Sequence, residues 1–298
     1  MASVFIWVDY GMAKASEALY ELDRDEYKDD RSFLKYFLSG AGDYFGAFKR
    51  WRLLVYLANA EMTKTYKRTI IGPFWATLSM GIFIGSMGIL FSLLWHTDIK
   101  TYLPFFSSGY IVWMLFSGIV TGSCATFTSM EGYIKQIDLP YSFYAFMLIC
   151  RNLIVFVHQL SIFVVVALVF KVPFTVDTFM VVPALLLLIL NCSWITILLG
   201  VICTRFRDMQ QIVISLLQIA MFITPIFWSE SQLSHSKMSF FCIQLNPIYH
   251  VISIVRYPLM GEATPLSGWL INIAILLVGW MITMYVLGRK YSKLVYWL

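Results

Sequence analysis

At 298 residues, 59% hydrophobic and only 13% charged, with a mean hydropathy of +0.74, the chain is too apolar for a water-soluble domain. Its net charge of +5 calls for no nucleic acid, because most Lys and Arg flank apolar runs, where membrane topology and anionic lipid account for them. Cys124, Cys150, Cys192, Cys203 and Cys242 show no metal-site spacing and read as small buried hydrophobes, not a disulfide framework.

Residues 1–43 read as an acidic cytoplasmic arm, solvated and partly disordered, carrying nine of the 17 acidic residues. No basic leader with an apolar core precedes it, so no cleaved signal peptide is expected. The transmembrane domain is expected over 44–298. Tyr44 to Trp75 opens it as a basic amphipathic segment. Wound as a helix, it lines up Trp51, Leu54, Val55, Ala58, Met62, Thr65 and Tyr66 on one side. Arg52, Lys64, Lys67 and Arg68 fall mostly elsewhere. That pattern suits a helix lying in the headgroup layer, its cations near lipid phosphates; a juxtamembrane segment that only sets topology is the other reading. Gly72-Pro73 breaks it.

Apolar stretches near 74–95, 104–128, 144–170, 178–203, 211–228 and 267–288 are each expected to cross roughly 30 Å of hydrocarbon. Lys and Arg counts put both termini on the cytoplasmic side. The first stretch carries Thr77, Gly81, Gly85, Gly88 and Ser92 at helical spacing, a signal for close helix packing. The second has a mixed face of Tyr110, Trp113, Ser117, Thr121, Cys124 and Thr128. Such a face can line a path for sugar rings or simply join helices by hydrogen bonds.

Glu131–Asp138 forms a short amphipathic segment stopped by Pro140. Met130, Tyr133, Ile134 and Ile137 make one side; Glu131, Lys135 and Asp138 make another. It is either a docking knob for a soluble partner or a plain turn. In CTRFRDMQQI, Asp208 followed by Gln211 is a capping-box variant expected to start the fifth helix. Residues 229–266 are too interrupted to cross the membrane. Ser236–Leu245 and Ile248–Met260, split by Asn246-Pro247, read as short re-entrant helices on the external side. Arg256 inside the second is expected to face protein or water, with His250 as a polar partner.

No Walker-type glycine loop, HExxH or Gly-x-Ser-x-Gly is present. No span carries a mid-membrane carboxylate, which ion-coupled transporters use. Energy is therefore expected from outside the chain.

Four features in order resemble the ABC type 2 permeases that export bacterial polysaccharides: KTYKRTIIGPFWATL before the first span, IKQIDLPYS, CTRFRDMQQI, and FITPIFW followed by LNPIYHVISIVRYPLMG. The resemblance covers roughly residues 45–298. It implies an all-α integral membrane protein of six spans, with an N-terminal amphipathic interface helix over 45–71 and external gate helices over 236–260. It implies a homodimer in the bacterial cytoplasmic (inner) membrane, paired with two copies of a soluble ABC ATPase. ATP and Mg would bind that partner, with no cofactor in this chain.

The cargo would be a lipid-linked glycan such as O antigen, capsule or wall teichoic acid. Carried over, Glu131, Gly132, Tyr133, Ile134, Lys135, Gln136, Ile137 and Asp138 would form the coupling helix seated in the ATPase. Arg52, Lys64, Lys67 and Arg68 would meet lipid phosphates. Trp75, Tyr110, Trp113, Ser117, Phe222 and Trp228 would line the channel. Asn246, Pro247 and Arg256 would belong to the gate. A permease for a drug or simple lipid, a stand-alone lipid-glycan flippase and a membrane-bound transferase are the competing readings.

Overall fold

The computed structural model describes residues 33–67, 74–230 and 240–298. Every regular element among these residues is helical. In chain order they are α1 (Phe33–Lys49), α2 (Trp51–Tyr66), α3 (Phe74–Leu94), α4 (Ile99–Ser123), α5 (Thr126–Ser129), α6 (Glu131–Ile134) and α7 (Tyr141–Phe170). A tight turn, Val176–Met180, leads into α8 (Val181–Arg205). Then come α9 (Met209–Ile223), a wide turn at Phe240–Gln244, α10 (Pro247–Leu259) and α11 (Leu266–Trp297).

Among the described residues, five helical segments are long and apolar enough to cross a membrane: α3, α4, α7, α8 with its leading turn, and α11. The chain is a multi-pass membrane protein. Their burial is unequal, and this locates the core. In α4, 72% of the most hydrophobic window lies inside the protein, against 22% in α3 and α7. Thus α4 is the central post, with α3, α7, α8, α9 and α10 around it. Phe106, Ile111, Ile119, Leu188 and Ile254 are among the fully buried side chains between them. The peripheral helices expose leucine, valine and phenylalanine, as helices do when lipid is their solvent.

Small residues set the close contacts. A methyl group at Gly88 of α3 would run into Leu103 of α4, and one at Gly279 of α11 into the indole of Trp194 on α8. The other glycines of the α3 stripe do less. Gly81 lies near Ile162 of α7, and a methyl group at Gly85 would meet nothing.

Several expectations change. The segment read as one interface helix over 45–71 is two helices, broken at Arg50. The first, α1, runs across the boundary drawn at residue 43 and packs along α11. Within α2, Leu54, Ala58 and Met62 of the expected apolar stripe are buried, facing α7, while Trp51 is 55% exposed and Val55 39% exposed. The side chains of Thr65 and Tyr66, together with Arg68, Gly72, Pro73 and 231–239, lie outside what the structure describes.

The fifth apolar stretch, expected over 211–228, is helical only to Ile223. Pro225 cannot continue the ladder, and Thr224, Ile226 and Phe227 tuck into the core as irregular chain. At 1.5 Å per residue α9 spans roughly 22 Å. Asp208 does precede α9, but its side chain makes no capping bond. At the other end, α11 continues past the expected limit of 288 to Trp297.

Candidate functional site

The loop after α4 is built by what stops its helices. Ser123 ends α4; α5 and α6 are single turns; Pro140 blocks any further extension. Within this loop Gly132, Tyr133, Lys135, Gln136, Ile137 and Asp138 are exposed, while Glu131 and Ile134 are half-buried. Ile134 and Met130 face inward onto a cluster containing Phe127, Tyr141 and Tyr144. The predicted coupling residues thus come together as one projecting knob. Its Lys135–Glu131 ion pair, 2.6 Å long, is about half exposed on both sides. Such a pair contributes about 0.3–0.5 kcal/mol and shapes the surface more than it holds the turn.

Beside the knob lies an apolar groove lined by Leu53 and Leu57 of α2, Tyr133, Ile137 and Leu139 of the loop, and Met147 of α7. Glu61 and Lys64 stand at its rim. Arg52 is exposed, its guanidinium 5.6 Å from the Trp51 ring centre. Lys64 and Lys67 are exposed as well, so this face of α2 is cationic.

The knob does not rest on its own helices alone. The N-terminal amides of α7 need acceptors, and Pro140 at the cap position supplies no side-chain oxygen. Asp43 of α1 supplies both. Its Oδ1 accepts from Tyr141 N and its Oδ2 from Ser142 N, each at 2.8 Å. Arg50 Nη1 donates to Asp138 O at 3.2 Å. Asp43 is 7% exposed. Burial raises its carboxyl above the usual 3.8, with the hydrogen bonds from Ser142 and Tyr141 opposing that rise. Hydrogen bonds to an ionised group contribute about 1.5–3 kcal/mol each, so this contact outweighs the exposed pair on the knob.

A second polar cluster sits at the opposite end of α4. Asn246 Oδ1 caps α10, accepting from Ile248 N at 3.0 Å and Tyr249 N at 3.3 Å. Its Nδ2 donates to Thr224 Oγ1 at 2.9 Å. Pro247 follows in the first turn, where a missing amide proton costs nothing. Arg256, 2% exposed, lies 4.5 Å from the Phe105 ring centre. It donates to Pro225 O at 2.5 Å and to Glu230 Oε1 at 3.1 Å. Tyr249 and Tyr257 hydroxyls also donate to Glu230. The partner of Arg256 is therefore Glu230, not His250, whose Nε2 faces Gln244 O at 3.0 Å.

The aromatic candidates divide. Phe227 is a hub, with ring centres of Phe91, Phe106 and Phe222 at 5.4, 5.5 and 5.7 Å. Tyr110 is half-buried and stacks on Phe83 at 4.7 Å. Trp228 Nε1 donates to Phe222 O at 3.0 Å, and Phe222 is 63% exposed. Tyr110, Phe222 and Trp228 thus share one aromatic surface. Trp113 is 3% exposed and packed inside the subunit, Ser117 spends its hydroxyl on Trp113 O, and Trp75 stands apart at the start of α3, 57% exposed.

Sequence reasoning missed Asp43, Glu230 and Phe227. Two carried a signal. Asp43 is the single charge in the run between Lys35 and Lys49, and Glu230 is the single acid between Asp208 and Glu262.

The architecture is that of an all-helical, multi-pass membrane protein with a projecting loop at one end, and the family comparison makes it a membrane transport subunit. Residues 52–260 match the ABC-2 type transporter model, and the chain belongs to that family. Among curated proteins it is similar to the O-antigen export system permease protein RfbA of Myxococcus xanthus, 22% identical over 201 residues, covering 67% of this chain and 77% of that one. The RfbA permease of Klebsiella pneumoniae is likewise 22% identical, with the same coverage.

Proposed function

We propose that this chain is the membrane permease subunit of an ATP-driven exporter of a lipid-linked polysaccharide, O antigen or a glycan like it. It works as a homodimer in the bacterial cytoplasmic membrane, both termini inside. Each copy is paired with a soluble ABC ATPase that binds ATP and Mg, so the chain itself needs no cofactor and carries no catalytic residue. In this reading α9 with the irregular chain after it makes the sixth span, α2 is the interface helix and α10 belongs to the external gate.

The observation that carries the reading is the knob Glu131–Asp138. It is exposed, bears Tyr133 and Ile137 on its surface, and is anchored behind by a buried carboxylate. Held from behind in this way, the knob can transmit force. ATP binding would close the ATPase pair, and coupling requires only that the two permease conformations prefer different nucleotide states. Lys64 and Lys67, with Arg68, would attract the lipid phosphate to the channel mouth. The aromatic surface around Phe222 would give sugar rings contact without a fixed hydrogen-bond register.

The test is a strain lacking this chain. Glycan trapped on the cytoplasmic face, released by the restored gene together with copurification of a span-free ATPase, is the expected result. Normal surface glycan in the null strain would refute the proposal.

A further inference from the structure

Asp43 does more than satisfy two amides, because the helix it sits on is itself immobilised. In α1, a methyl group at Gly40 would lie 2.5 Å from Met284 O of α11, and one at Gly288 of α11 would run into Tyr36 O. The two backbones touch with no side chain between them, the closest packing two helices can make. The next residue, Tyr44, wedges edge-on between Trp280 of α11, at 4.4 Å, and Phe146 of α7, at 5.0 Å. Tyr141 meets Tyr291 of α11 at 4.8 Å. The chain leaving the knob is thus held to α1 through Asp43, α1 is held to α11 through glycine, and Arg50 adds a bond to Asp138 at the α1–α2 break.

We infer that Asp43, helped by Arg50, is a positioning residue for coupling: it makes the exit of the knob, α1 and the adjoining part of α11 move as one body. This rests on the proposed ATPase-driven function. Without the carboxylate the knob would still seat in the ATPase, but its displacement would be lost at the Pro140 joint. The α1–α7 contact would yield before α11 moved.

The experiment uses the full chain copurified with its ATPase and reconstituted in vesicles, with a lipid-linked glycan supplied inside. Asp43→Asn replaces one acceptor oxygen by a donor. Expected are unchanged ATPase copurification, ATP hydrolysis within about twofold of wild type, and export down about tenfold or more; Arg50→Gln lowers export about threefold. The second arm joins α1 to Pro140 covalently. A Cβ at Gly46 would lie 3.4 Å from Pro140 Cγ, so the two positions adjoin, and mass spectrometry verifies the bridge before export is read. Gly46→Cys with Pro140→Cys, oxidised, should restore export to Asp43→Asn and leave an otherwise wild-type complex active, with reduction and single-cysteine variants as controls.

Wild-type export by Asp43→Asn would overturn the inference, as would parallel loss of ATPase binding, hydrolysis and export. If Asp43→Asn fails to fold, the cross-link in the otherwise wild-type chain decides. Retained export supports one moving body; abolished export means that the joint must open. Wild-type export without the ATPase would instead sink the proposed function, whatever Asp43 does.

Discussion

The two ends of α4 solve the same problem with opposite charges. At one end a buried carboxylate, Asp43, takes the amides that begin α7. At the other a buried guanidinium, Arg256, takes the Pro225 carbonyl just beyond α9, and Glu230 with it. Both tie a helix terminus to a distant element through a largely buried charge. They differ in what surrounds them. The Asp43 tie stands behind an exposed knob with a groove at its side, whereas α10 around Arg256 is buried along nearly its whole length. Under the proposed function, the first end would be gripped by the ATPase and the second would be shut. An arginine stranded in this setting would be costly, so its ring, carbonyl and carboxylate partners read as a seal.

The comparison can be broken first at the knob. Ile134 N donates to Met130 O at 2.9 Å, and Ile134→Pro removes that donor and disrupts the turn. Export should fall by about a hundredfold; because Ile134 also packs against the inner cluster, reconstituted flux is read beside the thermal midpoint, which is expected to change little. Unchanged flux would remove the knob from the mechanism.

The seal is tested next. Arg256→Ala leaves Glu230 without its cation and opens space against Phe105. A loss of about 1–3 kcal/mol is expected, chiefly from the Pro225 carbonyl left without its donor, read as a lower thermal midpoint in detergent. A midpoint equal to wild type would show that the cluster is dispensable. Neutralising Lys64, Lys67 and Arg68 together should slow export about threefold to tenfold with dimer assembly intact; normal flux would leave them as topology signals. The smallest effect belongs to Glu131→Gln. Its exposed ion pair contributes about 0.5 kcal/mol or less, within the scatter of a melting curve.

Much of this was legible beforehand because lipid enforces simple patterns. Continuous apolar runs located α3, α4, α7, α8 and α11, although α4 begins and ends five residues earlier than expected and α11 ends nine later, and Pro140 marked where the knob must end. What was not legible depends on partners far along the chain. Asp43 was counted with the acidic arm, since nothing local says that its acceptors are needed at Tyr141. The partner of Arg256 was sought at His250, one and a half turns away on the same helix, when the polar partner lay in the preceding connection. The fifth stretch looked long enough by hydropathy, but Pro225 redirects the chain into the core, where apolar composition suits irregular backbone as well as helix.

The most direct test of the whole account is glycan movement by the purified chain in sealed vesicles, with and without its ATPase. ATP-dependent export that requires the ATPase and vanishes in Ile134→Pro is the expected result. Equal movement by the chain alone would contradict it.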